Sequence, residues 1–259
     1  MLVDAFTVFG NWPGLTRDYP VDDLISGMER FKVGRACTLS STGIFLDAAT
    51  GNQETWAACK QDTRLIPIGV ADPRVRGVEQ VDYCKQQGFR AMALFPSSQG
   101  WSFSNNSAKL ILRRLAEHNM PVLIEAGREG DASAIMEAAH GLSLSVILLD
   151  VSLHTLAEAV SVLQQFRQSP VLQALKVDIG EIVSTLRGGL DIYLATRLLC
   201  GGDTIEYLAQ TIGADRLIFS SRFPVSCFSS AFLAAQYSPL DGEQRAAIMG
   251  GNITRLLGL

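Results

Sequence analysis

Short apolar, β-branched runs alternate with segments of helical period along this chain, and that rhythm constrains its fold more than any other feature. The runs LVDAFTVF, RACTLSS, LIPIGVAD, RAMALFP, PVLIEAG, SVILLDV, LKVDIG and RLIFSS read as strands. Amphipathic stretches such as VDDLISGMERFK, NQETWAACKQD, VEQVDYCKQQG, SAKLILRRLAEHN and HTLAEAVSVLQQFRQ separate them. Strands that are apolar on both faces suit a parallel sheet covered by helices. Eight such units in 259 residues come to about 32 residues each, as expected for a (β/α)8 TIM barrel. The prediction is an α/β fold, a (β/α)8 TIM barrel, as one domain over residues 1–259.

The stretch from Glu181 to Ala214 is too long for a simple crossover and reads as two helices split near Gly201 and Gly202. From Leu240 a helix around GEQRAAIMG and the turn NITRLLG are expected to close the barrel. A hydrophobic fraction of 47% and a charged fraction of 19% supply an ordinary globular core. The net charge of −4 offers no basic face to nucleic acid. No apolar run approaches the roughly 18 residues of a membrane span. MLVDAFTVFG lacks a basic leader region and reads as a first strand, not a signal peptide. Five cysteines without a C-x-x-C pair suggest neither a disulfide framework nor a zinc ribbon, so a cytoplasmic setting is expected. Homo-oligomerisation stays open.

A parallel barrel carries its site at the C-terminal ends of its strands. Polar residues there stand out against the apolar runs: Asp4, Thr7, Ser40, Ser41, Asp72, Ser97, Ser98, Glu125, Asp150, Asp178, and Ser220 to Arg222. Trp12 and Trp101 fall in loops on the same face, where an indole either stacks a flat ligand or simply packs. Cys37 lies within a strand and reads as a buried, inert thiol.

The segment GADRLIFSSRFP, followed by NITRLLGL, resembles the closing strand and tail of the amidohydrolase-related barrels. In that family the segment reads G-x-D-R, two apolar residues, then F-G-S-D-x-P. VDDLISGMERFKVGRACTLSS and NQETWAACKQDTRLIPIGVADPR extend the likeness over most of the chain. The resemblance implies a first strand ending in D-x-H-x-H, histidines ending strands five and six, and an aspartate ending strand eight. Together these would hold one or two divalent cations. Here Phe6 and Val8 replace the first two histidines, Glu125 and Asp150 stand at the next two positions, and Arg222 replaces the aspartate. Of three histidines, His118 and His140 fall in helical segments; only His154, just past strand six, lies near the site, as a proton shuttle or as a surface histidine. Phenylalanine and valine have no lone pair, and arginine does not deprotonate in proteins. At 4 Å and an effective dielectric near 20, a guanidinium repels a divalent ion by about 8 kcal/mol. An oxygen-only magnesium site of Glu125, Asp150 and Asp178 meets the same objection, so no metal and no cofactor are expected.

Three functions follow as expectations. The leading one is a divergent barrel that has lost its metal site and binds a small ligand or a partner at the old mouth, without metal-dependent hydrolysis. The alternative is an active hydrolase or decarboxylase of a small carboxylate. In it Glu125 and Asp150 act as acid and base, and Arg222 anchors the anion. A structural or assembly role is the third. Phe6, Val8, Trp12, Asp178, Ser220 and His154 are the expected lining. Arg222 either pairs with Glu125, Asp150 or both, or bends outward to solvent.

Overall fold

A nine-stranded sheet organises the protein; the computed structural model describes residues 1–152, 190–201 and 203–259. The strands are β1 (Val3–Asn11), β2 (Asp18–Tyr19), β3 (Arg35–Ser40), β4 (Leu65–Val70), β5 (Ala91–Leu94), β6 (Val122–Glu125), β7 (Leu144–Leu149), β8 (Leu190–Ala195) and β9 (Leu217–Ile218). They neighbour one another in the order β2-β1-β3-β4-β5-β6-β7-β8-β9. The short β2 pairs antiparallel with β1, and every later pair is parallel. Parallel neighbours require crossovers, and helices supply them. These include α1 (Val21–Phe31), α2 (Ser41–Phe45), α3 (Ala48–Gln61), α4 (Gly77–Gln87), α5 (Pro96–Gln99), α6 (Asn106–Glu117) and α7 (Asp131–Ala139). After β8 come α8 (Thr204–Leu208), α9 (Phe228–Tyr237), α10 (Gly242–Ala246) and α11 (Asn252–Leu257). None among the described residues is long and apolar enough to cross a membrane.

The ends of the sheet meet. Ala5 N–H donates to Phe219 O at 3.0 Å, Arg222 N–H to Phe6 O at 2.7 Å, and Val8 N–H to Phe223 O at 3.1 Å. The residues after β9 thus run beside β1, which a register shift between Asp4 and Thr7 bends where it meets β3. Strand alternation then sorts the apolar side chains into two cores. Leu39, Ile68, Leu123, Ile147, Tyr193 and Ile218 fill one inside the curl of the sheet. Leu24, Met28, Leu94, Val122, Ile124 and Ile111 fill the other, between strands and helices. On α1, Leu24, Gly27 and Met28 recur at helical spacing and face the sheet, while Asp22 and Asp23 occupy its first turn, where the helix dipole favours negative charge.

The stretch read as two helices between Glu181 and Ala214 instead contains β8, followed by α8 and a π-turn over Ala209–Gly213. Polar residues on one face disguised this strand. Ile192 and Leu194 enter the outer core, but Tyr193 points inward with Asp191, to which its hydroxyl donates at 2.5 Å. Arg216 also pairs with Asp191 and lies 5.3 Å from the Tyr193 ring. The expected strand LKVDIG and helix HTLAEAVSVLQQFRQ lie outside the described residues. RLIFSS forms ladder pairs only at Leu217 and Ile218, because the residues beyond them bond to β1 instead.

Asn252 ties the C-terminal tail to the last strand: its Nδ2 donates to Ala214 O and Leu217 O, both at 2.8 Å. Both bonds are buried, so Asn252→Ala strips two carbonyls of their donors. We expect a loss of about 2 kcal/mol in unfolding free energy, measured as a lower urea midpoint at unchanged slope.

Candidate functional site

Alternation carries three side chains past the inner core to the C-terminal rim of the sheet. Tyr193 and Ala195 lead to Arg197, Ile218 and Ser220 lead to Arg222, and Leu123 leads to Glu125. Asp150 breaks the pattern. It follows the inward-facing Leu149, so regular alternation would turn it away from the rim. Its backbone is left-handed, with φ 62°, and its carboxylate meets both arginines. Arg222 is left-handed as well, with φ 57°. That conformation costs a residue with a Cβ of order 1–3 kcal/mol and persists where neighbours over-determine it. Here the Arg222 N–H bond to Phe6 O and the ion cluster do so.

Asp150 is the hub. Arg197 Nε donates to its Oδ1 at 3.0 Å, the Arg197 Nη2 shares that oxygen, and Arg222 Nη2 takes Oδ2. The side chains of Asp150, Arg197 and Arg222 are 10%, 14% and 13% exposed, so solvent screens this cluster little. Two cations on one anion leave a surplus positive charge within this cluster, which Glu125 on the same rim opposes without pairing to either arginine. Burial pushes the Arg222 guanidinium down, the Asp150 carboxylate opposes that, Arg197 adds to it, and Glu125 weighs against it more weakly. The Arg222 guanidinium lies 5.5 Å from the Phe6 ring and 5.2 Å from the Trp12 ring. Its Nε is buried with no hydrogen-bond partner among the described residues.

The remaining expected residues disperse around this centre. Glu125 accepts from Ser98, at 2.8 Å from the backbone N–H and 2.7 Å from the hydroxyl, and touches neither arginine by hydrogen bond. Ser220 is buried and accepts from Arg197 N–H at 3.3 Å, so it positions the arginine's backbone. Val8 is buried in the inner core, and Phe6 presents its ring to Arg222. Trp12 is half-buried between Arg222 and Phe45, which it meets edge-on at 4.9 Å. His154 and Asp178 lie outside the described residues. Trp101 is buried in the outer core with Phe103, and Asp72 pairs with Arg74. Burial raises the Cys37 thiol far above its usual range.

Sequence reading missed Arg197. Alternation from Tyr193 through Ala195 leads to it, two residues past the strand, but a helical reading of this stretch hides that alternation. Around Arg222, Ser221 donates its backbone N–H to Asp4 at 3.0 Å and its hydroxyl to the other carboxylate oxygen. Phe223 then packs against Gly27 of α1, where a Cβ would collide with the ring.

A divalent cation does not fit the donors described. Phe6 and Val8 offer hydrocarbon, the Asp150 oxygens are engaged by arginines, and a permanent cation stands at Arg222. Among the described residues, no three His, Cys, Asp or Glu side chains gather so as to hold a metal ion.

No protein-family model and no curated protein sequence matches this chain. Solved structures do match its fold. A 5-carboxyvanillate decarboxylase from Novosphingobium aromaticivorans, complexed with manganese and 4-hydroxy-3-methoxy-5-nitrobenzoic acid, shares 13% identity, with 100% of this chain and 96% of that one covered at a TM-score of 0.72. A dihydroxybenzoic acid decarboxylase from Polaromonas, with bound manganese and the inhibitor 2-nitroresorcinol, shares 14% identity over 100% and 97% at 0.71. A Staphylococcus aureus protein assigned as an amidohydrolase shares 12% over 100% and 99% at 0.68. These likenesses overturn the leading expectation of a barrel that only binds a ligand or a partner, because manganese-bound decarboxylases share its fold over nearly their whole length.

Asp4 generates a pH prediction. Burial pushes its carboxyl up to about 7, against the lowering bonds from the Ser221 hydroxyl, Phe6 N–H and Ser221 N–H. The folded state therefore holds a proton that the unfolded chain releases near pH 4. The stability contribution is whole below about pH 4 and is lost as pH rises through about 7. Asp4→Asn should flatten the dependence of Tm on pH between those limits, measured by thermal denaturation across a buffer series.

Proposed function

We propose that this chain, which has the fold of the amidohydrolase-related proteins and closes as a (β/α)8 barrel, is a decarboxylase of a small aromatic carboxylate. The observation that carries this reading is the surplus cation in the Asp150 cluster: two buried guanidinium groups share one carboxylate, and a buried N–H of Arg222 is left unpaired. Such a centre attracts a second anion, and a planar carboxylate suits the arginine fork. The decarboxylases that share the fold, with their small aromatic ligands, support the choice of reaction and substrate class.

Arg222 and Arg197 bind the substrate carboxylate, with the half-buried Trp12 ring beside Arg222 offering apolar surface to the aromatic ring. Asp150, with both oxygens on arginines, orients them. It also tempers them: an anchor that grips a carboxylate too tightly stabilises the reactant over neutral CO2 and slows the reaction. Glu125, oriented by Ser98, passes a proton drawn from solvent to the ring carbon that bears the carboxylate. The C–C bond to the carboxylate then breaks, its electron pair restores the aromatic ring, and CO2 leaves.

The test is product formation from a panel of hydroxy- and methoxybenzoates, followed by chromatography and CO2 release. Arg222→Met keeps the side chain's bulk and removes its charge, and should lower kcat/KM by about 1,000-fold. Glu125→Gln should depress kcat while leaving ligand affinity within about threefold. If the wild-type protein turns over no member of the panel, the proposal fails.

A further inference from the structure

Two exposed thiols stand on the loops that deliver the two arginines. Cys200 ends the turn that leaves β8: Leu199 N–H donates to Thr196 O at 2.9 Å, and the Cys200 thiol donates to Arg197 O at 3.2 Å. On the other loop, Ser226 N–H donates to Arg222 O at 3.1 Å, and Cys227 follows as the first flanking residue of α9. Arg197 and Arg222 are held on one Asp150, and Arg197 N–H reaches Ser220 on the second loop. Each cysteine therefore lies a short hydrogen-bonded turn along the chain from an arginine of the same ion cluster. Thiols remote in sequence share one rim.

Their chemistry differs. Without closing a capping bond of full geometry, the Cys227 thiol faces the N-terminal turn of α9. There the Ser230 backbone N–H, then its hydroxyl and the Ser229 N–H, hold it below the usual thiol range. Partial burial pushes Cys200 up, Arg197 opposes that, and Cys227 adds to the rise, so the two thiols lie within electrostatic reach. Cys37, Cys59 and Cys84 are buried and raised by burial, Cys59 to about 12, and are unreactive by comparison.

We propose that Cys227 and Cys200 form a thiol modification site for low-molecular-weight disulfides, with Cys227 as the attacking thiolate and Cys200 as the resolving thiol. The Cys227 thiolate attacks one sulfur of the disulfide, a mixed disulfide forms, and the other sulfur departs as a thiolate. Cys200 then gives its proton to solvent and attacks the Cys227 sulfur. The new Cys200–Cys227 bond forms as the second small thiolate leaves. The protein dithiol is oxidised by two electrons and the small disulfide is reduced to two thiols. The bond would lock the Arg197 loop to the Arg222 loop and restrict the independent movement of the two guanidinium groups.

The experiment exposes the whole chain to oxidised glutathione at neutral pH, quenches it with acid and maps tryptic peptides without reduction. The expected product joins the peptide 198–216, which carries Cys200, to the peptide 223–245, which carries Cys227. Cys200→Ser should stop the reaction at a glutathione adduct on Cys227, and Cys227→Ser should leave Cys200 largely unmodified over the same interval. Iodoacetamide should label Cys227 about tenfold faster than Cys200 in the wild-type protein. Glutathione retained on Cys227 while Cys200 stays a free thiol overturns the proposal. So does labelling of Cys200 at the rate of Cys227, or the absence of any reaction at either thiol.

Discussion

Three backbone hydrogen bonds between β1 and the residues after β9 constrain everything at the rim. They oblige a two-residue strand to continue as an irregular stretch bound to β1, and Arg222 lies within that stretch. Its own N–H makes one of the three bonds, so closure of the sheet and placement of the guanidinium are one event. Asp4 reinforces the seam from the other side through Ser221. A carboxylate buried for this purpose carries a desolvation cost, which its raised proton affinity reveals.

The ion cluster built on this seam is a compromise between burial and charge. A lone buried Asp150 would be costly, and a lone pair of buried arginines would repel each other. Together they engage both carboxylate oxygens and keep one unit of charge in surplus. Left-handed backbone at both Asp150 and Arg222 shows that the arrangement is imposed against local preference. Lys32, Arg76 and Asn119 are also left-handed, but they lie at helix ends; strain in two rim residues that contact each other is the pattern expected where function, not folding, selects the geometry.

The apolar rhythm of the sequence was legible because the strands obey it: the described strands β1, β3 to β7 and β9 fall on the expected runs. It failed at β8, where the inward side of the strand carries Asp191 and Tyr193 bound to Arg216. A part-buried salt bridge interrupts the hydrophobic pattern there, and Arg197, just past the strand, is hidden with it. Arg222, Glu125 and Asp150 were visible from position alone. What sequence could not supply was the partnership. Asp150 reaches the arginines through a backbone flip that no alternation rule anticipates, while Glu125 is drawn to Ser98 instead. The resemblance in the closing segment pointed to the right fold, and the missing histidines led to the wrong functional expectation.

The Phe223 ring sits against Gly27 on α1, in space that any larger residue would claim. Phe223 is also the next residue after Arg222, and its carbonyl accepts from Val8. A contact made wholly of hydrocarbon, on the far side of the sheet, thus sets how deeply the guanidinium is seated. The bare spot on that helix works as a mechanical stop, and the electrostatics of the rim inherit their tolerance from the absence of a single methyl group.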